Sequence, residues 1–85
     1  MEGDKQLVGK VIHYFTNIGV AVISVQAPIV AGDELSFEGE TTNFTQKVSS
    51  MQVNNKPVEK VKKGDDIGMK VKDRVRSGDM VYKIA

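Results

Sequence analysis

Beyond Gly3-Asp4 at the start, three Gly-Asp pairs punctuate the chain, Gly32-Asp33, Gly64-Asp65 and Gly78-Asp79, and each stands just before a short apolar run. Aspartates in such repeated settings can act as general acids, as cation ligands or as turn formers. Two carboxylates that work on one bond must converge on it. Asp65 and Asp66 are neighbours, and successive side chains of a strand point to opposite faces, so this pair does not converge. His13 is the only histidine and cysteine is absent, which removes thiolate chemistry and leaves a base at His13 with no evident partner. His13 reads instead as a structural residue near the end of a first strand, on the parity of Val11 and Phe15. A calcium loop needs oxygen ligands at alternating positions, a glycine and a distant glutamate; Asp33-Glu34 followed by Glu38-Gly39-Glu40 lacks that spacing. Turn chemistry accounts for all three pairs. Glycine supplies a positive φ, and aspartate bonds the backbone two residues on, so that the pair launches the next strand.

The basic segment is the stronger candidate for function. Residues 56–83 hold nine cations against five acids, while the rest of the chain holds three cations against six acids. Lys60, Lys62 and Lys63 precede the Gly64 turn, Lys70 and Lys72 project from a strand whose inner face is Ile67, Met69 and Val71, and Arg74 and Arg76 follow on the same parity. Clustered on one face, these seven would attract phosphates with a salt-dependent affinity. Scattered, they would be a solvated face that keeps strand edges soluble. Tyr14, on the parity opposite to Val11 and Phe15, is a candidate stacking platform, whereas Phe37 and Phe44 read as core. The triplet Asn43-Phe44-Thr45 matches a glycosylation acceptor and is read as coincidence.

Strands must position these groups. Leu7 to Phe15 and Ile18 to Val25 are rich in β-branched and aromatic residues, with Thr16-Asn17 short enough for a tight hairpin. In the second segment Val20 and Val22 share one face while Ala21, Ile23 and Val25 share the other, which marks a strand covered on both sides. Leu35 and Phe37 alternate with acids and serine. Phe44 and Val48 share one parity but Met51 and Val53 the other, which predicts a β-bulge near Ser49-Ser50. Asn54-Asn55-Lys56-Pro57 is a turn, and Val58 and Val61 cap the core from a loop. Ile67-Met69-Val71 and Met80-Tyr82-Ile84 complete six strands. No window has helical periodicity, and six short strands with glycine at the turns predict an all-β, six-stranded closed barrel over residues 6–85, after a flexible N-terminus, residues 1–5.

The run Leu35-Ser36-Phe37-Glu38-Gly39, then Phe44 to Met51, then Val58 to Gly68 with its Gly64-Asp65-Asp66, and finally Val75 to Val81 (VRSGDMV), resembles the second domain of translation-factor GTPases such as elongation factor Tu. The patterns VGKVIHYFTNIGVAV and TTNFTQKVSSMQ are similar to two subsets: small archaeal elongation factor-like proteins, and the C-terminal domain of collagenase-like peptidases, several regarded as tRNA-hydroxylation enzymes. The resemblance covers residues 6–84. It implies a Greek-key barrel without catalytic machinery. No G-x-x-x-x-G-K-[ST] phosphate loop is present, so no nucleotide is expected.

These readings converge on a non-catalytic module without metal or cofactor, contacting tRNA or ribosomal RNA through Lys60, Lys62, Lys63, Lys70, Lys72, Arg74 and Arg76. The alternative is a protein-docking domain that associates with a larger translation factor or a collagenase-like peptidase, using Ile18 to Val25. With a polar, acidic start and no apolar run of membrane-spanning length, the expected setting is the cytoplasm.

Overall fold

The computed structural model describes residues 5–84, and they are all-β. Ten strands follow one another: β1 Lys5–Phe15, β2 Val20–Val25, β3 Ile29–Val30, β4 Glu34–Glu38, β5 Asn43–Lys47, β6 Met51–Val53, β7 Lys56–Val58, β8 Lys60–Val61, β9 Asp66–Lys70 and β10 Met80–Ile84. Eight of them form one antiparallel sheet in the order β5-β4-β10-β1-β2-β9-β6-β7, and β3 pairs with β8 as a separate ribbon. Of the N-terminal segment expected to be flexible, residues 1–4 lie outside the described residues. Lys5 is the first residue of β1, paired with Ile84.

The sheet is strongly rolled. β5 lies at one end of the order and β6 next to the other, six strand spacings away, or roughly 29 Å in a flat sheet. Yet only Val48-Ser49-Ser50 connects them, a reach of about 14 Å from Lys47 to Met51. The ends can meet only if the sheet curls. The predicted six-stranded closed barrel is therefore corrected: the strands are more numerous, and β5 and β7 remain terminal, with no main-chain ladder joining the two ends. A side chain spans the seam instead. The Gln46 amide donates to the Lys70 carbonyl at 3.0 Å and its oxygen accepts the Lys72 N–H at 2.8 Å.

The parity change between Phe44 and Val53 has a different cause from the one expected. No bulge sits at Ser49-Ser50; the segment breaks into two strands with different partners, β5 on β4 and β6 on β9 and β7. The bulges lie in β1 instead, between Leu7 and Gly9 against β10 and between Val11 and His13 against β2. The second one inverts the parity of the strand's end. Val11 is buried opposite Ile23, but beyond Ile12 it is Tyr14 that packs against the core, opposite Ala21, while His13 and Phe15 face outward opposite Val22 and Val20. The stacking role suggested for Tyr14 is thereby lost. The β1–β2 connection is also longer than a two-residue hairpin: Phe15 accepts bonds from Ile18 and Gly19, and Gly19 takes φ +67°.

Inside the roll lie Val8, Val11, Ala21, Ile23, Val25, Ile29, Leu35, Phe37, Met51, Ile67, Met69, Val75 and Val81, all buried. Phe44 stacks on Phe37 with centroids 4.9 Å apart. Val61 reaches this core from β8, paired with Ile29, and Val58 sits half-buried in β7, so both belong to strands and not to a capping loop. Asn54 and Asn55, at φ 52° and 66°, make the two-residue turn between β6 and β7, the pair of left-handed positions a type I′ hairpin requires.

Candidate functional site

The Gly-Asp pairs are three copies of one turn. In Val30–Asp33, Lys62–Asp65 and Arg76–Asp79 the glycine stands third with φ +95°, +99° and +101°. The aspartate N–H donates to the carbonyl three residues back, at 3.0, 3.1 and 3.0 Å. This is the geometry of a type II turn, which excludes most L-residues from the glycine position. The carboxylate also bonds backward, not forward as expected: Asp33 accepts the Val30 N–H at 2.8 Å, Asp65 that of Lys62 at 3.0 Å and Asp79 that of Arg76 at 2.8 Å. In each turn one carboxylate oxygen is engaged in closing the turn.

Asp79 does more than its two counterparts. It is buried, and the Thr42 hydroxyl also donates to it. It thus ties the β4–β5 turn to the start of β10. A Cβ on Gly39 would come within 2.0 Å of its Oδ1, so glycine is needed there to admit the carboxylate. Asp66, by contrast, is exposed on β9, paired with Ser24, and shares no partner with Asp65. His13 lies with its ring edge-on to Phe15 at 4.4 Å, exposed. Among the described residues, no three of His, Asp and Glu gather to hold a metal ion.

The structure distributes the seven basic residues among different places. Lys60 and Lys62 line a cleft with Pro28, Val61 and Asp65. Lys63 is exposed in the Gly64 turn. Lys70 and Lys72 line a second cleft with Gln46, Lys47, Ser49 and Ser50, and Arg74 and Arg76 a third with Thr41, Asn43, Phe44 and Asp73. The last two clefts follow one another along the seam between β5 and residues 70–76.

A second surface is apolar. Among the exposed large hydrophobic residues, Ile12, Phe15 and Ile18 cluster at the β1–β2 end, at 42%, 46% and 59% exposure, beside His13. Across the strand pair Val20 and Val22 are only half-buried on this same outer face. The expectation that β2 is covered on both sides thus holds for its inner face alone. Sequence reasoning missed Ile12 and Phe15 because the Ile12 bulge, which turns Phe15 outward, has no signature in residue type.

No family model matches the chain. It is 38% identical over 76 residues to an uncharacterized protease of Methanocaldococcus jannaschii, covering 88% of this chain and 19% of that protein. It is 38% identical over 81 residues to a collagenase of Porphyromonas gingivalis, covering 93% of this chain and 22% of the collagenase. The chain therefore spans about a fifth of the length of the curated relatives it matches. Its fold is shared with the C-terminal domain of a protein assigned to the U32 peptidases of Geobacillus thermoleovorans, with a TM-score of 0.88, 24% identity and coverage of 94% and 93% of the two chains.

These findings overturn the expectation of a translation-factor-like, RNA-binding module of protein biosynthesis. The relatives are protease- and collagenase-type proteins, and of the resemblances drawn from sequence only the collagenase-like one is supported. Among the described residues, no helix is long and apolar enough to cross a membrane.

Proposed function

We propose that the chain is a non-catalytic docking domain of the collagenase-like U32 peptidase type, which packs through the outer face of the β1–β2 hairpin on the larger body of such a protein. The observation that carries this reading is the exposed cluster Ile12, Phe15 and Ile18 with Val20 and Val22 behind it. Three large apolar side chains standing together on a small domain mark a contact surface more often than isolated ones do. The occupant follows from the relatives, in which a region similar to this chain accounts for about a fifth of a protein and some four-fifths remain to be packed against. Phe15 and Ile18 are the anchors; each is about half-exposed, so completing their burial contributes about 0.7–1.8 kcal/mol apiece.

The test is to delete the matched region from the M. jannaschii relative and mix the remaining body with this chain. Sedimentation should show a one-to-one complex that is lost with Phe15→Asp and Ile18→Asp. No complex, or a complex indifferent to both substitutions, would remove the docking reading.

A further inference from the structure

We infer that the open seam beside β5 is a second binding site, independent of the apolar face, which takes an extended acidic peptide as an added strand. Gly39 and Thr42 exchange backbone bonds at 2.8 and 3.4 Å, and the Val48 N–H reaches the Asp33 carbonyl at 2.8 Å. Between these fixed ends an antiparallel ladder alternates. Phe44 and Gln46 therefore direct their N–H and C=O groups to Phe37 and Leu35 of β4, and Asn43, Thr45 and Lys47 direct theirs away from it. On that side β5 has no neighbour in the sheet.

What faces this edge is basic. Arg74 and Arg76 line the cleft beside Thr41, Asn43 and Phe44, and Lys70 and Lys72 line the next cleft beside Lys47. The single acid among them, Asp73, accepts the backbone N–H of Arg74 at 2.9 Å. The two ion pairs found among the described residues, Lys5–Glu38 and Lys83–Asp33, involve none of these five cations. Gln46 bridges the seam between the two clefts through two hydrogen bonds, and a strand added along β5 has to displace this side chain. An extended segment laid along Asn43–Lys47 would satisfy the free backbone groups, and alternate acidic side chains would reach the guanidinium and ammonium groups opposite. Strand addition gives affinity through the main chain and specificity through alternate side chains. A solvated lysine-rich edge, which only discourages pairing, would show neither property.

The probe is a fluorescein-labelled eight-residue peptide alternating glutamate with valine, titrated with the whole chain at low and at physiological salt. Binding should weaken with salt and fall at least about tenfold with Arg74→Glu plus Arg76→Glu, as expected when a charge-paired contact is reversed. The backbone amide resonances of Asn43, Thr45 and Lys47 should shift on titration and become protected from exchange. The same peptide N-methylated at alternate amides keeps its charge and cannot form a ladder, so it should fail to bind. Equal binding by the N-methylated peptide, unshifted β5 amides, or equal competition by an oligonucleotide of the same charge would each reduce the seam to an unspecific basic surface and overturn the proposal. None of these readouts depends on the apolar face, so failure here leaves the docking reading standing.

Discussion

Removing the Asp79 carboxylate should destabilise the domain several times more than removing either of its two counterparts. Asp33, Asp65 and Asp79 close the same turn with the same backward bond, so they form an internal series in which only the surroundings differ. Asp65→Ala deletes one partly exposed bond to the Lys62 N–H, a loss of about 1 kcal/mol. Asp79→Ala deletes the bond to Arg76 and the one from Thr42 in a buried setting, and leaves the buried Thr42 hydroxyl without its acceptor. Two bonds to a charged acceptor at about 1.5–3 kcal/mol each set an upper range near 6 kcal/mol, and relaxation brings the expected loss to about 3–4 kcal/mol. A domain of this length has a total stability on the order of 4–13 kcal/mol, so the variant stands near the threshold of folding. The chain has no tryptophan, so urea unfolding is followed by far-ultraviolet circular dichroism. Asp79→Asn, which keeps one acceptor, should fall between wild type and alanine. If Asp79→Ala loses no more than Asp65→Ala, burial and the Thr42 bond are not what distinguishes the third turn, and the reasoning fails.

Gln46→Ala removes the two bonds across the seam, at 3.0 and 2.8 Å, and should cost about 1–3 kcal/mol in urea unfolding while raising hydrogen exchange at the Lys72 amide; an unchanged Lys72 exchange rate would show the bridge to be absent in solution. The Glu38 carboxyl is held below the usual glutamate range, first by the bond from the Lys5 ammonium at 2.6 Å and then by the Ser36 hydroxyl at 2.7 Å. A depressed folded-state value stabilises above the unfolded pKa of about 4.3, and that contribution is lost as pH falls through the lower folded value. Wild type should therefore lose more stability than Glu38→Gln on acidification from about pH 5 to about pH 3, by a small, salt-sensitive margin because the pair is partly exposed; parallel slopes for the two proteins would contradict the assignment.

Much of the fold was legible because it rests on local rules. Alternation in Leu35 and Phe37, the β-branched run of Val20 to Val25 and the apolar positions Ile67, Met69, Met80, Tyr82 and Ile84 place strands where strands occur, although in the last strand it is Val81, on the opposite parity, that is buried. Gly32, Gly64 and Gly78 mark turns because glycine takes their positive φ without strain, and Asn54-Asn55 marks a hairpin because asparagine tolerates the left-handed region better than most residues. The site was less legible. Bulges carry no residue signature, so the turning outward of Phe15 and the turning inward of Tyr14 could not be read. The split of Phe44 to Val53 was visible as a change of parity, but parity alone does not separate a bulge from a change of partner.

By itself, the sequence determined the all-β class, the positions of the Gly-Asp turns and part of the core, because alternation, glycine conformation and apolar burial act over a few residues at a time. Only the tertiary structure decided how far the sheet rolls, which side chain crosses its seam, that one of three identical turns buries its aspartate, and that the basic residues line separate clefts. Those outcomes depend on which strands become neighbours. Pairing across 30 or more residues is chosen by the fit of the whole roll, and no single segment carries it.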